Sequence, residues 1–261
     1  MGRVQALTDA PPQPPPLRPT QTAAGRRRFR PGERICPGLL ACEPLGGDDR
    51  IERWLAWSQH RWALVVVELP RDDHADDLRT VRRLAREART LRRLSHPAVP
   101  RLLDDGHDQP VPHLVLERVD GHTLEEVLAM GGPLPPAEAA RLGLHLAACL
   151  RYVHARGLGD VPLEPRRVAV HCGQPFLLDA GSARDLRRFD PRRDLVALGA
   201  LLHGLLTGAA RVPQELAAAI DVLSGRRHVT DLDAVQLLAA ALPPDEAPAW
   251  PPFACRLPQA V

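Results

Sequence analysis

The chain has 261 residues and a formal net charge of +2, with 44% hydrophobic and 25% charged residues. This is the composition of a soluble globular protein, long enough for one large domain or two lobes. It contains no lysine and no asparagine, and all 34 basic residues are arginine, which excludes a Schiff-base lysine, a phosphate-loop lysine and an asparagine metal ligand.

Five cysteines (Cys36, Cys42, Cys149, Cys172, Cys255) are odd in number and show no CxxC spacing. That argues against a disulfide framework or zinc site and for a cytoplasmic location. The first ten residues lack an apolar signal core. The longest greasy stretch, Leu195 to Leu206, is too short to span a bilayer.

Residues 1–31 read as a disordered tail, with six prolines between Pro11 and Pro19 followed by Arg26-Arg27-Arg28. Strands are expected between Pro37 and Leu69, at Trp54-Leu55-Ala56-Trp57 and Ala63-Leu64-Val65-Val66-Val67. Leu78, Val81, Leu84, Ala88, Leu91 and Leu94 recur every three or four residues and predict a helix stopped by Pro97. Asp76 and Asp77 suit its positive end. Its outer face carries seven arginines between Leu78 and Leu94, a solvated face or an anion-binding patch.

His113 to Leu116 predicts a strand, and 123–130 and 137–156 predict helices. Val168-Ala169-Val170 and Phe176-Leu177-Leu178 predict a hairpin. Helices are expected at about 192–207, 214–223 and 231–242. A proline-rich tail, 243–261, carries Trp250 and Phe253 as docking points. Strands, a helix, strands, then helices give an α+β protein of two unequal lobes, at 32–116 and 117–242.

Five segments then carry a resemblance in the right order. They are Arg86-Glu87-Ala88 with Leu94-Ser95-His96-Pro97, Leu114 to Gly121, Leu178-Asp179-Ala180-Gly181, Asp194 to Gly199, and Leu206-Thr207-Gly208. From about Gly38 to Leu242 the chain resembles the bacterial eukaryotic-like, Hanks-type Ser/Thr protein kinase family. The resemblance implies a two-lobed kinase-like fold. A small antiparallel sheet with one main helix would form the first lobe, and a shortened, mostly helical second lobe would follow.

The same resemblance implies that the chemistry is degenerate. Phosphoryl transfer needs a glycine loop, a strand lysine, a catalytic aspartate and ligands for magnesium. The glycine-loop positions fall on Gly46, Asp48, Ile51 and Arg53, so only the first glycine survives. Asp48 is expected to bring negative charge toward a polyanion, and Arg53 to replace an apolar adenine contact. The strand lysine falls on Glu68, and its usual helix partner is kept as Glu87. These like charges must protonate, turn away or find an arginine. Pro162 occupies the base position, Glu164 replaces the loop lysine, and Arg167 aligns with the amide ligand. Asp179 is kept, as a turn residue or as a candidate metal ligand. Asp194 is kept in a structural role.

The segment Ser182 to Phe189 is too short for a peptide platform. His145, His154 and His203 are helix-face or core histidines. The vestigial nucleotide pocket would be Val66, Leu116, Glu117 and Val119, lined with acid and stripped of cations. No cofactor is expected. The expected function is a pseudokinase that binds another protein, an active kinase or a neighbouring enzyme. Two alternatives stay open. One is an atypical active phosphotransferase that binds Mg-ATP through the backbone at Glu117 and Val119, with the metal on Asp179 and Glu68 or Glu87. The other is a binder of anionic surfaces or nucleic acid, which the low net charge disfavours.

Overall fold

The structure is a computed structural model describing residues 29–209, 211–225 and 229–242. The expected tail segments 1–28 and 243–261, with Trp250 and Phe253, lie outside the described residues.

One antiparallel sheet holds β1 (Arg34–Cys36), β2 (Leu39–Gly47), β3 (Ile51–Ser58), β4 (Ala63–Pro70), β5 (Leu102–Gly106) and β6 (His113–Glu117), in the order β1-β2-β3-β4-β6-β5. Side chains alternate between its faces. On one face Trp54 opposes Val67 and Ala56 opposes Val65, and these join Ile35, Leu39, Ala41, Leu69 and Val115 in a buried cluster. Phe29 packs edge-on against Trp54 with ring centroids 6.2 Å apart. Phe29, within the span read as a tail, thus packs on this cluster. On the other face Arg53 opposes Glu68, Leu55 opposes Val66, and Leu116 follows Val66 across β4 and β6. Strand alternation alone thus puts two opposite charges among aliphatic residues.

Helix α1 (Leu78–Leu91) is capped by Asp77, whose carboxylate accepts the Arg79 N–H. Leu84 and Ala88 pack on Ile51 and Leu114. Leu91, Leu94, Ala98 and Val99 belong to the main cluster of the second lobe, so the end of α1 is moored there. Two expectations need correction. The helix ends at Leu91, and Arg93 and Leu94 continue only as single turns on the Thr90 and Leu91 carbonyls. Leu78, expected in the core, is 67% exposed, and Val81 is half-buried. Six residues before Leu84, Leu78 stands about 120° from it around the helix; successive spacings of three drift off the buried face.

The second lobe contains β7 (His122–Thr123), α2 (Leu124–Gly131), α3 (Pro136–Ala155), β8 (Leu158–Gly159), β9 (Val168–His171), β10 (Gln174–Leu177), β11 (Arg184–Asp185), α4 (Arg192–Leu206), α5 (Gln214–Ser224) and α6 (Asp231–Ala240). Thr123 and Glu126 form a reciprocal capping box on α2, and Thr230 and Asp233 do so on α6. Leu142, Leu146, Leu150 and Val153 of α3 share a core with Leu198, Leu202 and Leu205 of α4. β9 and β10 form the expected hairpin, with β7 alongside. The short segment after Asp179 returns at once as β11, paired to β8. No helix among the described residues is long and apolar enough to cross a membrane.

A buried polar tie joins three helices of this lobe. His154 on α3 places Nε2 2.9 Å from Asp194 Oδ2 on α4 and Nδ1 2.8 Å from Asp231 Oδ1 on α6. Asp194 Oδ1 also accepts the Val161 N–H at 3.1 Å. With a carboxylate at each ring nitrogen, both nitrogens must donate, so the ring is an imidazolium. Burial alone would lower its pKa; the two carboxylates outweigh that and raise it to about 9. In the unfolded chain histidine titrates near ~6.5. The tie should therefore be fully present below that pH and be lost as pH rises through about 9. Urea midpoints measured from pH 6 to 10 should fall across this window, by an amount on the order of 3 kcal/mol. The slope should vanish in His154→Gln.

Candidate functional site

A cavity of about 490 Å³ opens between the lobes. Leu45, Leu55, Val66, Leu116, Val119 and Ala169 make an apolar wall, and Glu117 and Arg118 of the connecting strand close one side. The four pocket residues expected from the sequence all line it. At its opposite, polar end stand Arg53, Glu68, Arg167 and Asp179.

The β2–β3 turn covers the cavity. Gly47, not Gly46, lines it, at φ 135°, where a Cβ would meet the Ile51 carbonyl at 2.1 Å. Gly46 sits at an irregularity in the β2–β3 register, at φ 98°. Ile51 is buried under α1. Asp48 accepts the Arg50 and Ile51 N–H groups, each at 2.9 Å, which fixes the turn. Its second oxygen pairs with Arg83 of α1 at 2.6 Å. Burial would raise the Asp48 pKa; Arg83 and the backbone donors bring it down. The expectation that Asp48 carries free negative charge toward the cavity is thus corrected.

The strand charges resolve in the same way. Arg53 is directly opposite Glu68 in the β3–β4 register, and its Nε donates to Glu68 Oε1 at 2.5 Å. Its NH2 donates to Asp179 Oδ1 across the lobes. Burial would lower the Arg53 pKa; Glu68 and Asp179 more than offset it and raise it. Glu87, one turn beyond Arg83 on α1, accepts Arg83 Nε at 2.9 Å. Burial and the nearby Glu68 charge still push the Glu87 carboxyl up to about 7. The two carboxylates have each found an arginine, and neither arginine comes from a position where the resemblance calls for a cation.

Arg167 completes the arrangement. Its NH1 donates to Asp179 Oδ2, and its Nε lies 3.3 Å from Glu164. Glu164 also pairs with Arg166 at 2.6 Å. Burial would raise the Glu164 pKa, and the two arginines hold it below the usual range. Pro162 and Glu164 do not line the cavity; Arg166 and Arg167 do. An acid-lined pocket without cations is therefore overturned: at its polar end each carboxylate faces a guanidinium.

Magnitudes decide how this set behaves. Desolvation costs several kcal/mol per ion, and a close pair recovers about 4 kcal/mol at an effective dielectric of 20. Neither term dominates, so the network holds only when complete. A magnesium ion needs free carboxylate oxygens. Both oxygens of Asp179 accept from guanidinium groups, and the amide-ligand position is Arg167. Among the described residues no three His, Cys, Asp or Glu side chains converge to hold a metal ion. The residues present do not fit the metal that the resemblance implies.

Sequence reading missed the reach of Arg53, the Arg83 bridge and the Asp231 contact to His154. The helix spacing of Arg83 and Glu87 was the readable signal for the second of these.

No family model matches the chain. Serine/threonine-protein kinase PrkC of Bacillus subtilis is 26% identical over 217 residues, covering 73% of this chain and 33% of that protein. PknB of Mycobacterium leprae is 26% identical over 223 residues, covering 69% and 36%. PknB of Mycolicibacterium smegmatis is 27% identical over 261 residues, covering 84% and 40%. The chain thus spans about a third of the length of the curated relatives it matches. A crystal structure of Rad53 residues 1–466 in complex with AMP-PNP superposes with a TM-score of 0.64 at 17% identity, covering 76% of this chain and 64% of that one. That likeness establishes a two-lobed, kinase-like α+β fold.

Replacing Arg53 tests the network. Arg53→Met leaves Glu68 and Asp179 buried without their shared cation, and urea unfolding should show a loss of about 3–5 kcal/mol. Arg79→Met, on the exposed side of α1, should shift stability by no more than about 0.5 kcal/mol.

Proposed function

We propose that this chain, whose homologues are bacterial Hanks-type Ser/Thr kinases, is a catalytically impaired member of that fold. It acts as a protein-interaction or regulatory module, and its partner is an active kinase or a neighbouring enzyme. The observation that carries the reading is the occupation of Asp179 by Arg53 and Arg167. The carboxylate that would hold magnesium is bound by the protein's own cations. Pro162 has no proton-accepting side chain, and loss of a general base costs about 10²–10⁴ in rate. Glu164 stands where the resemblance calls for a lysine, and its carboxylate holds Arg166 and Arg167 in ion pairs instead of supplying positive charge to a transferring phosphoryl. Cys36, Cys42 and Cys149 are free thiols, which supports a place in the reducing cytoplasm.

A second reading is an atypical active ATP-dependent phosphotransferase. The open cavity favours it, because its apolar wall and connecting strand are retained.

One experiment separates the two. The full chain is titrated with Mg-ATP by calorimetry and thermal shift, then assayed with γ-labelled ATP. The first reading expects no binding tighter than about 1 mM and no transfer. Micromolar binding with label transfer that disappears in Asp179→Ala would establish the second reading and defeat the first.

A further inference from the structure

The arginines of α1 fall into two groups. Arg83 pairs with Asp48 and Glu87, and Arg92 pairs with Asp105 at 2.7 Å. Arg79, Arg82, Arg86, Arg89 and Arg93 are all exposed, and Arg93, beyond the end of α1, lies within electrostatic reach of the Asp185 carboxylate. Arg89 donates to the Ala85 carbonyl of its own helix, and Arg93 to the Arg156 carbonyl. The side chains of Arg79, Arg82 and Arg86 make no hydrogen bond or ion pair among the described residues.

Spacings of three and four residues align Arg79, Arg82, Arg86 and Arg89 on one stripe, opposite the buried Leu84 and Ala88. From Arg79 to Arg89 the stripe is about 15 Å long. Leu78 stands exposed beside it, and half-buried Val81 and Ala85 continue the apolar border. At the helix start the stripe is bounded by the exposed Asp72, Asp73 and Asp76.

We propose that this face of α1 docks an acidic amphipathic protein segment of about three helical turns. Its carboxylates meet the four guanidiniums of Arg79, Arg82, Arg86 and Arg89, and its apolar edge covers Leu78, Val81 and Ala85. Guanidinium forks recognise carboxylates with defined geometry, and an exposed leucine beside them gives the site an apolar anchor. A nucleic acid duplex fits less well, because a longer polyanion would run over the aspartates at the helix start and find no use for Leu78. The inference gives the interaction role above a partner chemistry. It stands on α1 alone, so its outcome is independent of whether the cavity transfers phosphate.

The test uses the full chain and a labelled 14-residue helical peptide. Glutamates at i, i+3, i+4 and i+7 lie on one side of the peptide and leucines beside them. Fluorescence anisotropy should show saturable binding that weakens as salt rises. Arg82→Glu/Arg86→Glu should weaken it at least about tenfold, and Arg82→Gln/Arg86→Gln less. Both changes are on exposed positions, and an unchanged melting temperature verifies the fold. Leu78→Ser should weaken binding about threefold, by loss of buried apolar area. Absence of peptide binding, insensitivity to either arginine pair or to Leu78→Ser, or tighter binding of duplex RNA or phosphatidylglycerol vesicles would each overturn the proposal.

Discussion

A single guanidinium determines what the space between the lobes is. Arg53 leaves β3 on the cavity face and is held by Glu68 from the next strand and Asp179 from the other lobe. An ammonium is a point charge; a guanidinium is a planar fork that can satisfy two carboxylates at once. In a chain without lysine the cation has moved one strand over, and the carboxylate has taken the place the resemblance gives to lysine. The local charge balance is kept while its sign pattern is inverted. The inversion matters because Arg53 is paired on both sides and both oxygens of Asp179 accept from guanidinium groups.

The same contact has a mechanical side. Arg53 belongs to the first lobe and Asp179 to the second, and the end of α1 is buried in the second lobe's core through Leu91 and Leu94. Opening the lobes would break charge pairs that lie largely out of water and also expose those leucines. Each alone costs several kcal/mol. The joint between the lobes is therefore tied at two points, one polar and one apolar, without a bound ligand.

The fold was legible because element order and short motifs carry it. Asp194, the Leu114–Gly121 strand and connection, and the α1 pattern each sit where the resemblance implies. The polar end of the site was less legible. The Glu68 and Glu87 conflict was visible, and one of its three resolutions was an arginine. Which arginine depended on strand register: Arg53 and Glu68 are 15 residues apart and meet only once the β3–β4 hairpin is aligned. His154 and Asp231 are 77 residues apart, and nothing local in either segment marks the contact. Leu78 shows the opposite failure. Its spacing matched the helical period, but the period drifts, and the first turn of α1 carries it to solvent.

The arginine content also needs two explanations rather than one. A composition bias toward arginine accounts for the total, and a net charge of +2 shows that acids nearly balance it. Neither says where the balance is struck. Around the cavity it is struck side chain by side chain, in a chain of pairs from Asp48 through Arg83 to Glu87, and from Glu68 through Arg53, Asp179 and Arg167 to Glu164. Burial forces that pairing, because an unmatched charge there is intolerable. On the outer face of α1 water screens each guanidinium and no such force acts. Interior arginines therefore report on folding, whereas the unpaired stripe is tolerated by folding and so remains free to be shaped by a partner.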